Sequence, residues 1–110
     1  MDKASALSAL AALGQETRLD IFRLLVQAGQ AGVPAGEIAQ KVGAVQNTAS
    51  AHLKALSQAG LVLTEREGRI VRYRADIDGF RDLLAFLMED CCAGNPDICR
   101  PLIDAVTCSG

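Results

Sequence analysis

Three cysteines stand close together near the end of this 110-residue chain: Cys91, Cys92 and Cys99. Thiolates are soft donors and select soft ions. A trivalent arsenic or antimony centre takes three sulfurs in a pyramid, its lone pair filling the remaining direction. The only histidine, His52, lies far away in sequence. The run Gly94-Asn95-Pro96 is a turn that can fold the chain back and let the three sulfurs converge. The same residues suit other chemistries. With Cys108 as a fourth ligand the thiols fit tetrahedral zinc, or cadmium or lead. A disulfide among Cys91, Cys92, Cys99 and Cys108 would make a redox switch. Cys91 also falls on an apolar stripe, where a cysteine can be a small buried hydrophobe. An enzymatic thiol is not expected, because Glu89-Asp90 and a helix C-terminus both disfavour the thiolate that a catalytic cysteine needs.

A second set of residues lies earlier, in Gln46 to Leu56, QNTASAHLKAL. At about 100° per residue, Ala49, Leu53 and Leu56 share one narrow sector. Asn47, Ala51, Lys54 and Gln58 lie opposite, with Ser50 at the edge. That outward face offers an amide, a hydroxyl, a cation and an alanine small enough for close approach, which suits the floor of a DNA major groove. Gln46, Asn47, Thr48, Ser50 and Lys54 are the candidate contacts. His52 sits about 60° from the core centre, so it is expected to pack at the helix edge or touch a phosphate from there.

The third set is basic. Arg66, Arg69, Arg72 and Arg74 crowd a β-prone stretch, and phosphate binding is expected of at least two of them. Residues 46–75 carry these four and Lys54 against Glu65 and Glu67, a net charge of +3. Residues 76–97 carry six acids against Arg81, a net charge of −5. The formal charge of −2 for the whole chain therefore hides a local basic footprint, and a local footprint is what a nucleic-acid surface requires.

The elements that must position these residues follow from periodicity. Residues 4–13 put Leu7, Leu10 and Leu13 on one stripe of an amphipathic helix that Gly14 ends. Residues 16–28 form a second helix with Ile21, Leu24, Leu25 and Ala28 inward, stopped by Gly29. GQAGVP is a turn, with Pro34 placed to open a helix over 35–42 that turns Ile38, Ala39 and Val42 inward. Gly43 breaks that helix and the Gln46 stretch follows, which describes a helix-turn-helix. Val45 falls at the expected N-cap, where Ser, Thr, Asp or Asn is favoured, so this helix start is under-capped unless Asn47 or Thr48 caps it instead. Residues 61–75 switch to period two around Glu67-Gly68, predicting a hairpin that serves as a basic wing. Residues 77–92 form a last helix with Phe80, Leu83, Leu84, Leu87, Met88 and Cys91 on its stripe and Phe86 outside it. So wide an apolar face on a small domain predicts packing against another chain.

Length and composition agree. The chain is one domain. Half its residues are apolar, enough for a core. No apolar run approaches the roughly 18 residues that span a bilayer, and no signal peptide is read, so a cytoplasmic protein with free thiols is expected.

Four segments in order, LGQETRLDIFRLL, GEIAQKVG, NTASAHLKALSQAGLV and REGRIVRYR, resemble the ArsR/SmtB family of bacterial metal-responsive repressors over about residues 5–92. The resemblance implies a homodimeric winged helix-turn-helix repressor, mainly α with a small β-hairpin, paired through its first and last helices. It implies release from operator DNA when an inducer binds. Family members often carry a Cys-x-Cys type site in the helix before the recognition helix, but GEIAQKVG has no cysteine. Others hold zinc with Asp and His on the last helix, which here lacks histidine. Val45 and Asn47 stand where the family often has Ser and Pro, and Ala51 where it often has Arg, so operator preference is this chain's own. Some arsenic-responsive members have a Cys-Cys pair and a third Cys at the C-terminal position that Cys91, Cys92 and Cys99 occupy.

The resulting expectation has two parts. Residues 1–92 form the DNA-binding and dimerisation domain, and 93–110 a cysteine-containing tail that completes an inducer site. Two copies place Gln46, Asn47, Thr48 and Ser50 in successive major grooves, about one helical turn apart on an inverted repeat. Arsenite or antimonite at Cys91, Cys92 and Cys99 then shifts the last helix and frees the repressor, with a thiophilic divalent metal or a thiol redox switch as the alternative.

Overall fold

The computed structural model describes residues 1–89, 100, 101, 104 and 105. Within residues 1–89, five α-helices and three short strands follow one another: α1 (Lys3–Leu13), α2 (Glu16–Ala28), β1 (Val33–Pro34), α3 (Ala35–Val42), α4 (Gln46–Gln58), β2 (Val62–Glu67), β3 (Ile70–Ala75) and α5 (Ile77–Leu87). Local chemistry sets most of the boundaries. The Asp2 carboxylate accepts the Ser5 N–H at 2.8 Å and caps α1. This bond, first of all, holds the Asp2 pKa below its ordinary value. Gln15 caps α2 by accepting the Arg18 N–H at 2.8 Å, while Arg18 Nε donates back to the Ala12 carbonyl at 2.7 Å and closes the α1–α2 corner. Gly43, at φ +69°, ends α3 in the left-handed conformation that favours glycine. Asp76 caps α5 through the Gly79 N–H at 3.0 Å.

The core draws on every helix. Ile21, Leu25, Ile38, Leu53, Leu56, Leu61 and Leu83 are fully buried, and Phe22 meets Phe80 with ring centroids 5.2 Å apart and planes tilted by 51°. In α4 the buried residues are Ala49, Leu53 and Leu56, as its periodicity predicts. In α3 Ile38 and Ala39 are buried and Val42 is half-buried.

Other expectations are corrected. In α1 the stripe Leu7, Leu10, Leu13 is not the buried one. Ala6, Ala9 and Ala12 face the core, Leu13 packs at its edge, and Leu7 and Leu10 are exposed. Alanine permits the backbone of α1 to lie close against α2 and α4, which leucines would hold away. In α2 Ile21 and Leu25 are buried and Leu24 packs against the core as expected, but Phe22 is buried as well and Ala28 is exposed. In α5 Phe86 packs against the core beside Phe80 and Leu83, while Leu84 and Leu87 face outward. The run expected as a plain turn before α3 holds a one-turn 3-10 segment (Gly29–Ala31) and strand β1. The hairpin therefore becomes a three-stranded antiparallel sheet of order β1-β3-β2. Pro34 is the extended N-cap of α3, which spans Ala35–Val42 as expected. The hairpin turn is Gly68-Arg69, one residue later than Glu67-Gly68, because Glu67 still pairs with Ile70 and Gly68 adopts φ +62°.

The N-terminus of α5 is pressed against the C-terminus of α4. The Asp76 N–H donates to the Leu61 carbonyl at 2.8 Å. A Cβ on Gly79 would overlap the Gly60 carbonyl oxygen, so only glycine fits there. No described helix is long and apolar enough to cross a membrane.

Candidate nucleic-acid interface

The helix-turn-helix is α3, the link Gly43-Ala44-Val45, and α4. The Ala44 N–H donates to the Ala39 carbonyl at 3.1 Å and tightens the link. With Ala49, Leu53 and Leu56 in the core, α4 has one orientation available, and the opposite side is turned to solvent. Gln46, Asn47, Thr48, Ser50, Ala51, Lys54 and Gln58 are all exposed. His52 is half-buried at the helix edge, between the two faces, as its wheel position predicts. Val45 holds the N-cap in extended conformation with no side-chain hydrogen bond, and it is 71% exposed. The first-turn N–H groups of α4 thus have no side-chain cap, and a helix N-terminus left open in this way favours an anion.

The wing brings its four arginines to two different places. Arg66 and Arg69 are exposed near the tip, and Arg69 is itself a turn residue. Gln46 and Arg69 line one cleft together with Pro34, Gly36 and Ile70, so the wing tip and the start of α4 border a common surface. Arg72 and Arg74 lie on the other face of the hairpin with Leu63 and Glu65, their cross-strand partners. The Arg72 side chain, 29% exposed, has Nε 3.6 Å from Glu67 Oε1 and Nη1 3.5 Å from the Ala31 carbonyl. Arg74 Nη1 donates to Gln30 Oε1 at 2.9 Å, while its Nε is buried without a partner. Gln30 is absent from the candidate residues read from sequence. Its bond joins positions 44 apart, and no local pattern marks it.

Cys91, Cys92, Cys99 and Cys108, and with them the tail 93–110 beyond residues 100, 101, 104 and 105, lie outside the described residues. Among the described residues no group of His, Cys, Asp and Glu is arranged to hold a metal ion. Helix α5, which leads toward Cys91, carries exposed Ile77, Leu84 and Leu87, and α1 carries exposed Leu7 and Leu10.

This arrangement has relatives. Residues 13–65 match a helix-turn-helix domain family. The chain is 36% identical over 78 residues to the uncharacterized HTH-type transcriptional regulator YceK of Bacillus subtilis (strain 168), spanning 71% of this chain and 77% of that protein. Among solved structures it is similar to the homodimeric winged helix-turn-helix DNA-binding domain of Mb0332 from Mycobacterium bovis, a possible ArsR-family transcriptional regulator. That likeness has a TM-score of 0.65 at 34% identity and covers 77% of each chain. It is also similar to a possible transcriptional regulator for arsenical resistance, with a TM-score of 0.66 at 27% identity over 91% of this chain and 97% of the other. The open face of α4, the arginine wing beside it and these likenesses agree: the chain belongs to the ArsR family of DNA-binding, winged helix-turn-helix transcriptional regulators.

Proposed function

We propose that two copies of this chain repress transcription from an inverted-repeat operator, and that arsenite or antimonite, held by Cys91, Cys92 and Cys99, releases them. The single observation that carries the DNA half is the exposed polar face Gln46, Asn47, Thr48, Ser50 and Lys54 over a buried Ala49-Leu53-Leu56 face. Arg66 and Arg69 on the wing supply phosphate contacts beside it, and His52 reaches a phosphate from the helix edge. The exposed leucines of α1 and α5 support pairing of two copies, and the homodimeric Mycobacterium bovis domain is a precedent.

The inducer half rests on donor chemistry. Three thiols without a histidine fit a trivalent, sulfur-seeking centre. The likeness to a possible regulator for arsenical resistance points the same way. The thiols follow α5, and α5 is joined to α4 by the Asp76–Leu61 hydrogen bond, the Gly79–Gly60 contact and the shared core of Leu83 with Leu53 and Leu56. A ligand that favours one placement of α5 acts on the recognition helix through those joints. Such coupling is typically about 1–3 kcal/mol.

The test is fluorescence anisotropy of a labelled duplex that the wild-type protein selects from a random-sequence pool. The complex is titrated with arsenite, antimonite, zinc and cadmium. Arsenite and antimonite are expected to release the wild type. Cys91→Ser, Cys92→Ser and Cys99→Ser are expected to bind DNA with unchanged affinity and to stay bound. Release that persists in all three variants defeats the site. Release by zinc or cadmium that Cys108→Ser abolishes would assign a four-thiol metal site instead.

A further inference from the structure

The four wing arginines are alike in sequence but do different things in the structure. We propose that Arg74, assisted by Arg72, is a positioning residue: it fastens the root of the wing to Gln30 in the α2–α3 connection and so fixes where Arg66 and Arg69 meet DNA. Strand β1 has two residues, Val33 and Pro34, and proline donates no hydrogen bond, so the backbone ladder holds the wing weakly on this side. Side chains supply the rest. Arg74 Nη1 reaches Gln30 Oε1 at 2.9 Å, and Arg72 approaches the Ala31 carbonyl. Gly32, at φ +71°, brings the connection so near β3 that a Cβ would stand 2.7 Å from the Tyr73 carbonyl oxygen and 3.1 Å from Arg72 Cγ.

Two further facts favour fastening over direct DNA contact. Arg74 Nε is buried, whereas a phosphate-binding fork presents its donors outward. Arg72 and Arg74 occupy the hairpin face that also carries Glu65, and Glu67 beside Arg72 repels phosphate. The connection held by these arginines runs through β1 straight into α3. The Gln30–Arg74 bond thus adds to the core packing of Val33, Tyr73 and Ala75 in fixing the angle between wing and helix-turn-helix.

This inference rests on the wing lying against DNA, and its test separates the two ideas. Operator affinity is measured against salt concentration for wild type, Gln30→Ala, Arg74→Gln, the double variant and Arg69→Gln, with thermal unfolding as a folding control. A side chain bound to one phosphate contributes about 0.9 to the salt slope. The dimer carries two copies of this side chain, so Arg69→Gln is expected to reduce the slope by about twice that much. Gln30→Ala carries no charge, so it is expected to weaken binding about three- to tenfold with the slope unchanged. The double variant is expected to be no weaker than Arg74→Gln alone, because both remove the same bond. If Gln30→Ala binds like wild type while Arg74→Gln lowers the slope as Arg69→Gln does, Arg74 is a phosphate contact and the proposal is overturned. If Arg69→Gln leaves the slope unchanged as well, the wing does not meet DNA and both readings fall.

Discussion

Val45 shows how one position serves a helix poorly on its own terms. Its backbone, at φ −70° and ψ 152°, is that of an N-cap, yet the side chain offers no oxygen to the first turn. Val45→Ser is expected to stabilise the fold by about 0.5–2 kcal/mol, read from thermal unfolding. No gain would mean that the first-turn N–H groups are already satisfied. Much at this scale was legible from the sequence. The inward set Ala49, Leu53 and Leu56, the outward polar set and the edge position of His52 all follow from helical geometry. The fates of Arg72 and Arg74 were not legible. Local sequence gives four arginines on a hairpin, and only the register Leu63–Arg74 and Glu65–Arg72, with Gln30 brought alongside, divides them.

Among the elements, α1 teaches the most. Its sequence contains two apolar stripes, Ala6-Ala9-Ala12 and Leu7-Leu10-Leu13, with the same spacing. Periodicity cannot choose between them, and side-chain hydrophobicity favours the wrong one. The choice depends on how closely α1 can approach α2 and α4, a property of the assembled core that no single helix contains. Leu7 and Leu10 are thereby left exposed, as are Leu84 and Leu87 on α5, and in the proposed dimer they would meet the partner. Leu10→Asp is expected to raise the dimer dissociation constant at least about tenfold, measured by sedimentation, since a carboxylate would be buried in an apolar interface. Helical content should stay the same, because Leu10 is outside the core. A dimer unchanged by this substitution would remove α1 from the interface. The junction of α4 and α5 gives a second expectation. Gly79→Ala is expected to destabilise the fold by about 1–3 kcal/mol in urea unfolding, because the new methyl meets backbone rather than a movable side chain. Strand β1 was missed in the sequence for a related reason: two residues ending in proline become a strand only when β3 arrives beside them.

At the scale of the molecule, the proposed pairing would make stability depend on concentration. The midpoint of thermal unfolding is expected to rise with protein concentration in the wild type and to lose that dependence in Leu10→Asp. The contact between Gly79 and Gly60 has its own consequence for motion. Backbone stands against backbone there, so α5 can neither slide toward α4 nor press further in. Beyond that point Phe80, Leu83 and Phe86 seat α5 in the core, so a swing about the glycines must also repack those side chains. From Gly79 to Leu87 the helix runs about 12 Å at its usual rise. A swing of about 10° carries the far end roughly 2 Å while the glycines hardly move. In such a swing the junction would be the fulcrum of a lever. Its long arm carries Leu83, which shares a core with Leu53 and Leu56 of the recognition helix, and the sequence runs on from its end to the cysteines.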